Sequence, residues 1–293
     1  MQTREWLELW LETYKVRKIR AKTQESYRRV LDAYILPPIG GIELEDLTPE
    51  NCQHVINAVI DRGFTRQAQI VYTLMHAAFE RAVRSGRLDK SPMATLDKPE
   101  HVQKHGRAMT PSDLACVLEH AGDCPYWPAL AVMLYAGLRR GEVLALTWGD
   151  IDLHQGVIHV RRNAVRVDGQ LAVGPPKSSA GIRDVPISHV LRPILRVAHR
   201  RTPWGRLCSC SPETIAKHWR QLQQRAGIAQ PYTLHDLRHT CATVWVANGM
   251  VPKHAQYLLG HATLALTVDL YAHHDWASIS ADFARVDASV FPQ

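Results

Sequence analysis

Apolar residues at helical spacing begin almost with the first residue. Trp6, Leu7, Trp10 and Leu11 share one stripe, and a second helix is predicted from about Thr23 to Leu36, stopped by Pro37-Pro38. Thr48-Pro49-Glu50 reads as a capped helix start with proline in the first helical position, and it leads into Val55, Ile56 and Val59. Thr65 opens a long helix through Ile70, Leu74, Ala78 and Val83, ended by Ser85-Gly86. From Ser91-Pro92 to Arg107 the apolar pattern lapses into Pro, Lys, His and Gly, as in a linker. The expected division is therefore a helical domain over residues 1–92, a linker over 93–107, and a second domain over 108–293.

The second block begins at another capped start, Thr110-Pro111-Ser112-Asp113, and continues into a buried helix from Pro128 to Ala136, interrupted by Gly137. The period then changes. Short strands are predicted at Gly156 to Val160, Ala164 to Val167, Leu171 to Val173 and Ile182 to Ile187, with Asp168-Gly169 joining the middle pair as a hairpin. Helical patterning returns after Ser188, with starts near Ser211-Pro212-Glu213 and His235-Asp236. The fold class expected is mainly α with one small antiparallel β-sheet. No internal repeat or low-complexity tract interrupts it.

Composition narrows the function classes. At 293 residues, 46% apolar and 22% charged, the chain is ordinary globular protein of about two domains. Its longest strongly apolar stretch, Ala129 to Leu138, is half of the roughly 20 residues a bilayer span needs. The N-terminus carries Glu5, Glu8 and Glu12 in place of a basic-then-apolar export signal. Six cysteines fit reduced thiols in a cytoplasm better than a disulfide framework. The net charge of +7 makes a polyanion a plausible partner. The first hundred residues are balanced, with 15 basic and 14 acidic, yet Lys15, Arg17, Lys18, Arg20, Lys22, Arg28 and Arg29 face only Glu25 there.

Neither a P-loop nor G-x-G-x-x-G is present, so nucleotide-driven and nicotinamide chemistry have no local support. Cys208-Ser-Cys210 with His218 lacks the second ligand pair of a structural zinc site and reads as two small loop cysteines. His235-Asp-Leu-Arg238-His239-Thr240 places His235 and Arg238 one turn apart on a helix face. Such a pair can grip a phosphate, because arginine offers a fixed fork of donors and histidine titrates near neutrality. Those residues alone fit a helix start with ordinary polar side chains equally well. Gly260 ends a further helix and leaves His261 at a junction, followed by Tyr271, a type most often found at a core edge. Tyr257, inside an apolar helix, has less claim to a role. Upstream, Arg139 follows the buried helix with Glu142 three residues on, within reach to orient its guanidinium. Lys177 sits in a turn before a strand, in Pro175-Pro-Lys177-Ser-Ser-Ala-Gly-Ile-Arg183-Asp-Val-Pro.

Taken in order, these positions resemble the tyrosine site-specific recombinases of the phage integrase family. Leu7 to Pro38 with Leu44 to Pro92 is similar to that family's helical core-binding domain, including the Trp-Leu-Glu-Thr-Tyr start, the Ile35-Leu-Pro turn and the Ser-Pro that closes it. Thr110 to about Ala284 is similar to its mixed α/β catalytic domain. The resemblance implies that Arg139 and Arg238 clamp a scissile phosphate, with Glu142 supporting the first of them. It further implies Lys177 as general acid, His235 as base, His261 as a phosphate contact and Tyr271 as nucleophile. The implied reaction breaks and rejoins DNA through a 3′-phosphotyrosine and requires no cofactor, metal or ATP. A phenol with a pKa near 10 is mostly protonated at neutral pH, so a base beside it makes chemical sense. Implied partners are double-stranded DNA core sites, a homo-tetramer on paired sites and an accessory directionality factor, with no membrane involved. The setting would be cytoplasmic and nucleoid-associated, bacterial or phage-encoded.

For DNA contact the expectation falls on Lys15, Arg17, Lys18, Arg20, Lys22, Arg28, Thr65, Arg66, Gln67, Arg161 and Arg162. Larger family members carry a preceding arm-binding domain, and the core-binding pattern here starts within ten residues; a simple recombinase and a fragment both fit. Trp276, Ile279, Phe283 and Val286 recur at helical spacing after Tyr271, either covering their own core or docking on a neighbouring protomer. Two rival classes remain: a non-catalytic DNA-binding protein on the same scaffold, and a metal-dependent nuclease. The second lacks a carboxylate cluster suited to magnesium.

Overall fold

The computed structural model describes residues 1–101, 106–167, 169–176 and 178–261. The described chain forms two compact units, the first built on Met1–Lys104 together with Arg166–Gln170 and the second on the rest of the chain from His105 onward. In the first, α1 (Thr3–Trp10), α2 (Ala21–Val30), α3 (Leu36–Ile39), α4 (Pro49–Ile60) and α5 (Thr65–Arg84) enclose a core of Trp6, Trp10, Leu31, Ile35, Ile56, Val71, Met75 and Phe79. The buried Trp6 indole is satisfied by donating to the Ala78 carbonyl at 3.1 Å.

Pro37-Pro38 do not stop the second helix. A π turn over Leu31–Ile35, closed by the Leu36 amide on the Leu31 carbonyl, resets the hydrogen-bond register. The prolines then fall in the first turn of α3, where their missing N–H groups have no intrahelical partner to lose. The start of α4 is as expected: Thr48 accepts from the Asn51 amide while the Asn51 side chain accepts from the Thr48 amide. The first core reaches past residue 92, since Met93 is buried in it and Leu96 packs against it.

The second unit contains α6 (Pro111–Glu119), α7 (Trp127–Tyr135) and α8 (Arg140–Ala145). Five strands follow: β1 (Ile151–Asp152), β2 (Val157–Val160), β3 (Asn163–Val167), β4 (Gln170–Gly174) and β5 (Arg183–Pro186). Four helices complete the described chain: α9 (Leu191–Arg201), α10 (Pro212–Arg225), α11 (Leu234–Ala247) and α12 (Pro252–Leu259). The strands make two small sheets instead of the single one expected: an antiparallel sheet in the order β1-β2-β5 and a β3-β4 hairpin. Beneath them, α7 lies among α8, α9 and α11 in a core that includes Leu130, Val132, Leu134, Val143, Ile158, Val185, Trp219 and Leu237. An all-round apolar helix such as α7 needs partners on several sides, which these elements supply.

One strand has an unexpected feature. The register pairs Val160 with Arg183 and Ile158 with Val185, so Arg183 shares the inward face of β5 with Val185. The start of α11 also differs from expectation by two residues. Thr233 is the N-cap, in a reciprocal box with Asp236, because its hydroxyl oxygen accepts from the Asp236 amide and the Asp236 carboxylate accepts from its amide. His235 and Asp236 therefore lie inside the first turn.

Candidate active site

The C-terminus of α12 organises the site. It ends in a left-handed Gly260 (φ 65°), with the His261 amide donating back to the Gln256 carbonyl at 3.1 Å. A side chain at Gly260 would be strained, and its Cβ would lie 2.8 Å from the Ala180 carbonyl and 3.0 Å from the Arg183 guanidinium. The three carbonyls exposed by this ending each receive a different arginine. Arg183 donates to Leu258 at 2.5 Å, Arg238 to Leu259 at 2.5 Å and Arg139 to Gly260 at 2.8 Å. Cations at the negative end of a helix are favourably placed.

A single carboxylate ties two of these arginines, Arg139 and Arg183, together. Glu142, 3% exposed, accepts from the Arg139 guanidinium at 2.9 Å and from the Arg139 amide at 2.8 Å. It also accepts a bidentate pair from Arg183, at 3.0 and 2.9 Å. Burial by itself would raise the Glu142 carboxyl, but Arg183, and then Arg139, outweigh it and hold the group below the ordinary carboxylate range. Arg238, 2% exposed, gives its other nitrogen to the Gly137 carbonyl at 2.7 Å. Burial, then Arg139, pushes its pKa down to about 9, leaving it cationic at neutral pH. Among the described residues, two of the three guanidiniums thus share one carboxylate while the third, Arg238, is held by carbonyls, and the three arginines outnumber the one acid that pairs with them. Arg139 alone keeps a partly open side chain, 36% exposed.

The histidines sit in this cationic field. The His261 pKa is pushed down to about 3 by burial, then by Arg238 and Arg139. His235 is pushed down to about 4 by the protein around it, then by His239 and Arg238, although its side chain is open to solvent. Both are neutral imidazoles at neutral pH, able to give or take a proton.

The structure therefore brings together Arg139, Glu142, His235, Arg238 and His261. Lys177, Tyr271 and the segment from Trp276 onward lie outside the described residues. Tyr257 is 57% exposed on α12, which corrects the expectation that it sits inside an apolar helix. Sequence reasoning missed Arg183 as a site residue. The available signal was alternation, which puts an arginine on the core face of β5 beside Val185 and Ile187.

Of the expected DNA contacts, Arg17, Lys18, Arg20, Lys22, Thr65 and Arg66 are exposed, while Lys15, Arg28 and Gln67 are half-buried. Lys15 lies over the Trp10 ring, Lys22 pairs with Glu25 and Arg28 with Glu12. Thr65 bonds His101 at 2.8 Å and Arg66 donates to Gln69 at 2.9 Å. Arg161 and Arg162, both exposed, are bound to Asp184 and Asp150, each at 2.5 Å. The Cys208 and Cys210 sulfurs lie 3.1 Å apart.

Comparison with known proteins places this geometry. Residues 109–277 match the phage integrase family, and residues 4–60 match the phage integrase N-terminal SAM-like domain. A putative prophage phiRv2 integrase of Mycobacterium tuberculosis is 28% identical over 272 residues, covering 88% of this chain and 71% of that one. The fold matches the Tn1549 transposon integrase solved with transposon right-end DNA (TM-score 0.80, 19% identity, 98% of this chain and 100% of that one). It also matches a lambda integrase tetramer bound to a Holliday junction (TM-score 0.74, 20% identity, 94% of this chain and 79% of that one). With more than half of its length matched by the family, and the two-domain helical fold shared, the chain belongs to the phage integrase family of tyrosine site-specific recombinases.

Proposed function

We propose that this recombinase cuts and rejoins DNA with Arg139 and Arg238 gripping the non-bridging oxygens of the scissile phosphate. The observation that carries the assignment is the convergence of three guanidiniums on the carbonyls at the end of α12, two of them also joined through the Glu142 carboxylate. A phosphodiester repels nucleophiles, and its transition state gathers further negative charge on those oxygens. Arginines already fixed by carbonyls and by Glu142 meet that charge without reorganising. Arg183 is a positioning residue in this scheme. It is fully buried and satisfied, so it holds Glu142, and through Glu142 it aims Arg139.

Tyr271 supplies the attacking oxygen, and the neutral His235 imidazole takes its proton. The tyrosine oxygen bonds to phosphorus as the bond to the 5′-oxygen breaks. Lys177 delivers a proton to that oxygen, leaving a 3′-phosphotyrosine and a 5′-hydroxyl. His261, neutral before the substrate arrives, donates to a phosphate oxygen. Rejoining is the reverse, with a 5′-hydroxyl as nucleophile, and the phosphotyrosine conserves the ester, so the chemistry needs no nucleotide.

The substrate in this reading is duplex DNA carrying core sites, bound by the exposed basic run from Arg17 to Lys22 and by Arg66, with four copies assembled on paired sites. The tetramer is supported by the lambda integrase solved as a tetramer on a Holliday junction. The test is incubation with a nicked core-site duplex in EDTA, resolving protein–DNA adducts on a denaturing gel. The wild type should form a covalent adduct, and Tyr271→Phe should form none while binding the duplex with unchanged affinity. An adduct from Tyr271→Phe, or cleavage abolished by EDTA, would overturn the assignment.

A further inference from the structure

His239 has no part in the scheme above, yet it stands against the base. It lies one turn beyond His235 on α11, with the two ring centroids 4.6 Å apart and the planes at 90°. Its Nδ1 is buried and has no hydrogen-bond partner. A buried polar nitrogen left unpaired is costly, so no hydrogen bond from that atom accounts for the ring, and its role is to be sought in what the ring packs against. Burial holds its pKa below the usual imidazole value, with Asp236 opposing and Arg238 reinforcing the effect.

On its other side the ring meets the backbone of residue 106. A Cβ at Gly106 would fall directly onto the imidazole, so only glycine allows the approach. The strand of chain beginning there is fastened along α11. The Arg107 amide donates to the Asp236 carboxylate at 3.0 Å, and the Met109 amide donates to the Thr240 hydroxyl at 2.9 Å. The Arg107 guanidinium bonds Gln230 and lies over the Tyr232 ring, 4.0 Å from its centroid. Residues 106–109 are thus a strap, and the His239 ring is the wedge between strap and His235.

We propose that His239 is a positioning residue for His235, a ring held by Gly106 that fixes the orientation of the neighbouring imidazole. His235 needs such a support because its own side chain is open to solvent and has no packed wall on every side. Since the wedge's Nδ1 bonds nothing, the ring's shape carries the role, and an apolar ring of similar size should serve as well. Displacing a reacting group by about 1 Å can cost on the order of 10²-fold in rate.

This inference rests on His235 acting as the base, and the experiment separates the two ideas. Single-turnover rates of covalent-adduct formation are measured for the wild type, His235→Ala, His239→Ala, His239→Phe, Gly106→Ala and the double variant His235→Ala/His239→Ala, alongside duplex affinity. His239→Ala and Gly106→Ala should slow adduct formation by about 10- to 100-fold at unchanged affinity. His239→Phe should recover most of the rate. In the His235→Ala background, loss of His239 should have little further effect, because groups acting as a unit are non-additive. Full additivity, a wild-type rate for His239→Ala, or His239→Phe as slow as His239→Ala would each overturn the positioning role. If His235→Ala itself proceeds at the wild-type rate, the assignment of the base fails instead.

Discussion

Arginine is used in two opposite ways in this molecule. In the second unit, Arg183 and Arg238 are each 2% exposed and fully committed to the carbonyls of Gly137, Leu258 and Leu259 or to Glu142. In the first unit, Arg17 and Lys18 are exposed, and where a neighbour pairs, as Arg28 does with Glu12, both side chains keep much of their surface in water. The buried set costs desolvation and is stable only because every guanidinium finds a partner. What it gains is fixed geometry at the point where, in the reaction proposed above, negative charge develops. The exposed set gains no such precision and needs none, since neutralising a phosphate backbone depends on releasing counterions more than on exact placement. Losing a buried arginine should therefore damage fold and chemistry together, whereas losing an exposed one should change only the salt dependence of binding.

The largest effects belong to the site, and one comparison there separates a cation that stabilises charge from one that gives up a proton. Lys177→Ala should slow cleavage of ordinary DNA by about 10²–10⁴-fold, because an alkoxide leaves poorly without a proton. Replacing the bridging 5′-oxygen with sulfur makes a thiolate that leaves unprotonated, and Lys177→Ala should then approach the wild-type rate. Arg139→Ala should be slowed by about 10²–10³-fold on both substrates, since its oxygens are untouched. If Lys177→Ala is equally slow on both, the lysine is not the acid.

Next comes stability. Glu142→Ala leaves Arg183 buried without its carboxylate and should destabilise the fold by about 3–5 kcal/mol, read from urea unfolding. Arg139→Ala, which removes the partly open member of the cluster and leaves the Glu142–Arg183 pair intact, should cost far less. Similar losses from both variants would mean that the site arginines do not divide into a buried strut and an accessible grip.

Much of this arrangement was legible in the sequence. Thr48, Thr110 and Ser211 marked helix starts through short-range cap chemistry, and Gly169, with φ at 80°, marked the link between the paired strands β3 and β4. Arg139, His235, Arg238 and His261 could be named because their spacing matched a family pattern. What escaped was non-local. Pro37-Pro38 read as a stop because the π turn that absorbs them is set by packing of Leu31 and Ile35. Arg183 was passed over because its worth lies in contacts with Glu142, 41 residues away, and Leu258, 75 residues away. The wedge between Gly106 and His235 depends likewise on a strap that crosses more than a hundred residues of sequence.

A pH experiment probes how burial and the neighbouring cations act on the site histidines. Unfolded imidazoles take up a proton near 6.5. In the folded chain His235 does so only at about 4 and His261 at about 3. Between roughly pH 6.5 and 4 the unfolded state therefore binds more protons, and stability must fall as pH falls. The double variant His235→Ala/His261→Ala should lose less stability over that window than the wild type, by urea unfolding at several pH values. Parallel curves would mean that burial and the neighbouring cations do not depress these histidines.

The smallest expected effect tests the other half of the comparison. Arg17→Ala/Lys18→Ala removes two exposed cations that no described carboxylate holds, so the unfolding midpoint should stay where it is. Duplex binding should weaken, and it should do so in a particular way. If each side chain neutralises one phosphate, the slope of log affinity against log salt should become shallower by about 0.9 for each, while adduct formation at saturating DNA keeps its wild-type rate. An unchanged salt slope would place these residues away from the DNA. A slope change accompanied by slower chemistry at saturation would instead show that the exposed run does more than attract the duplex.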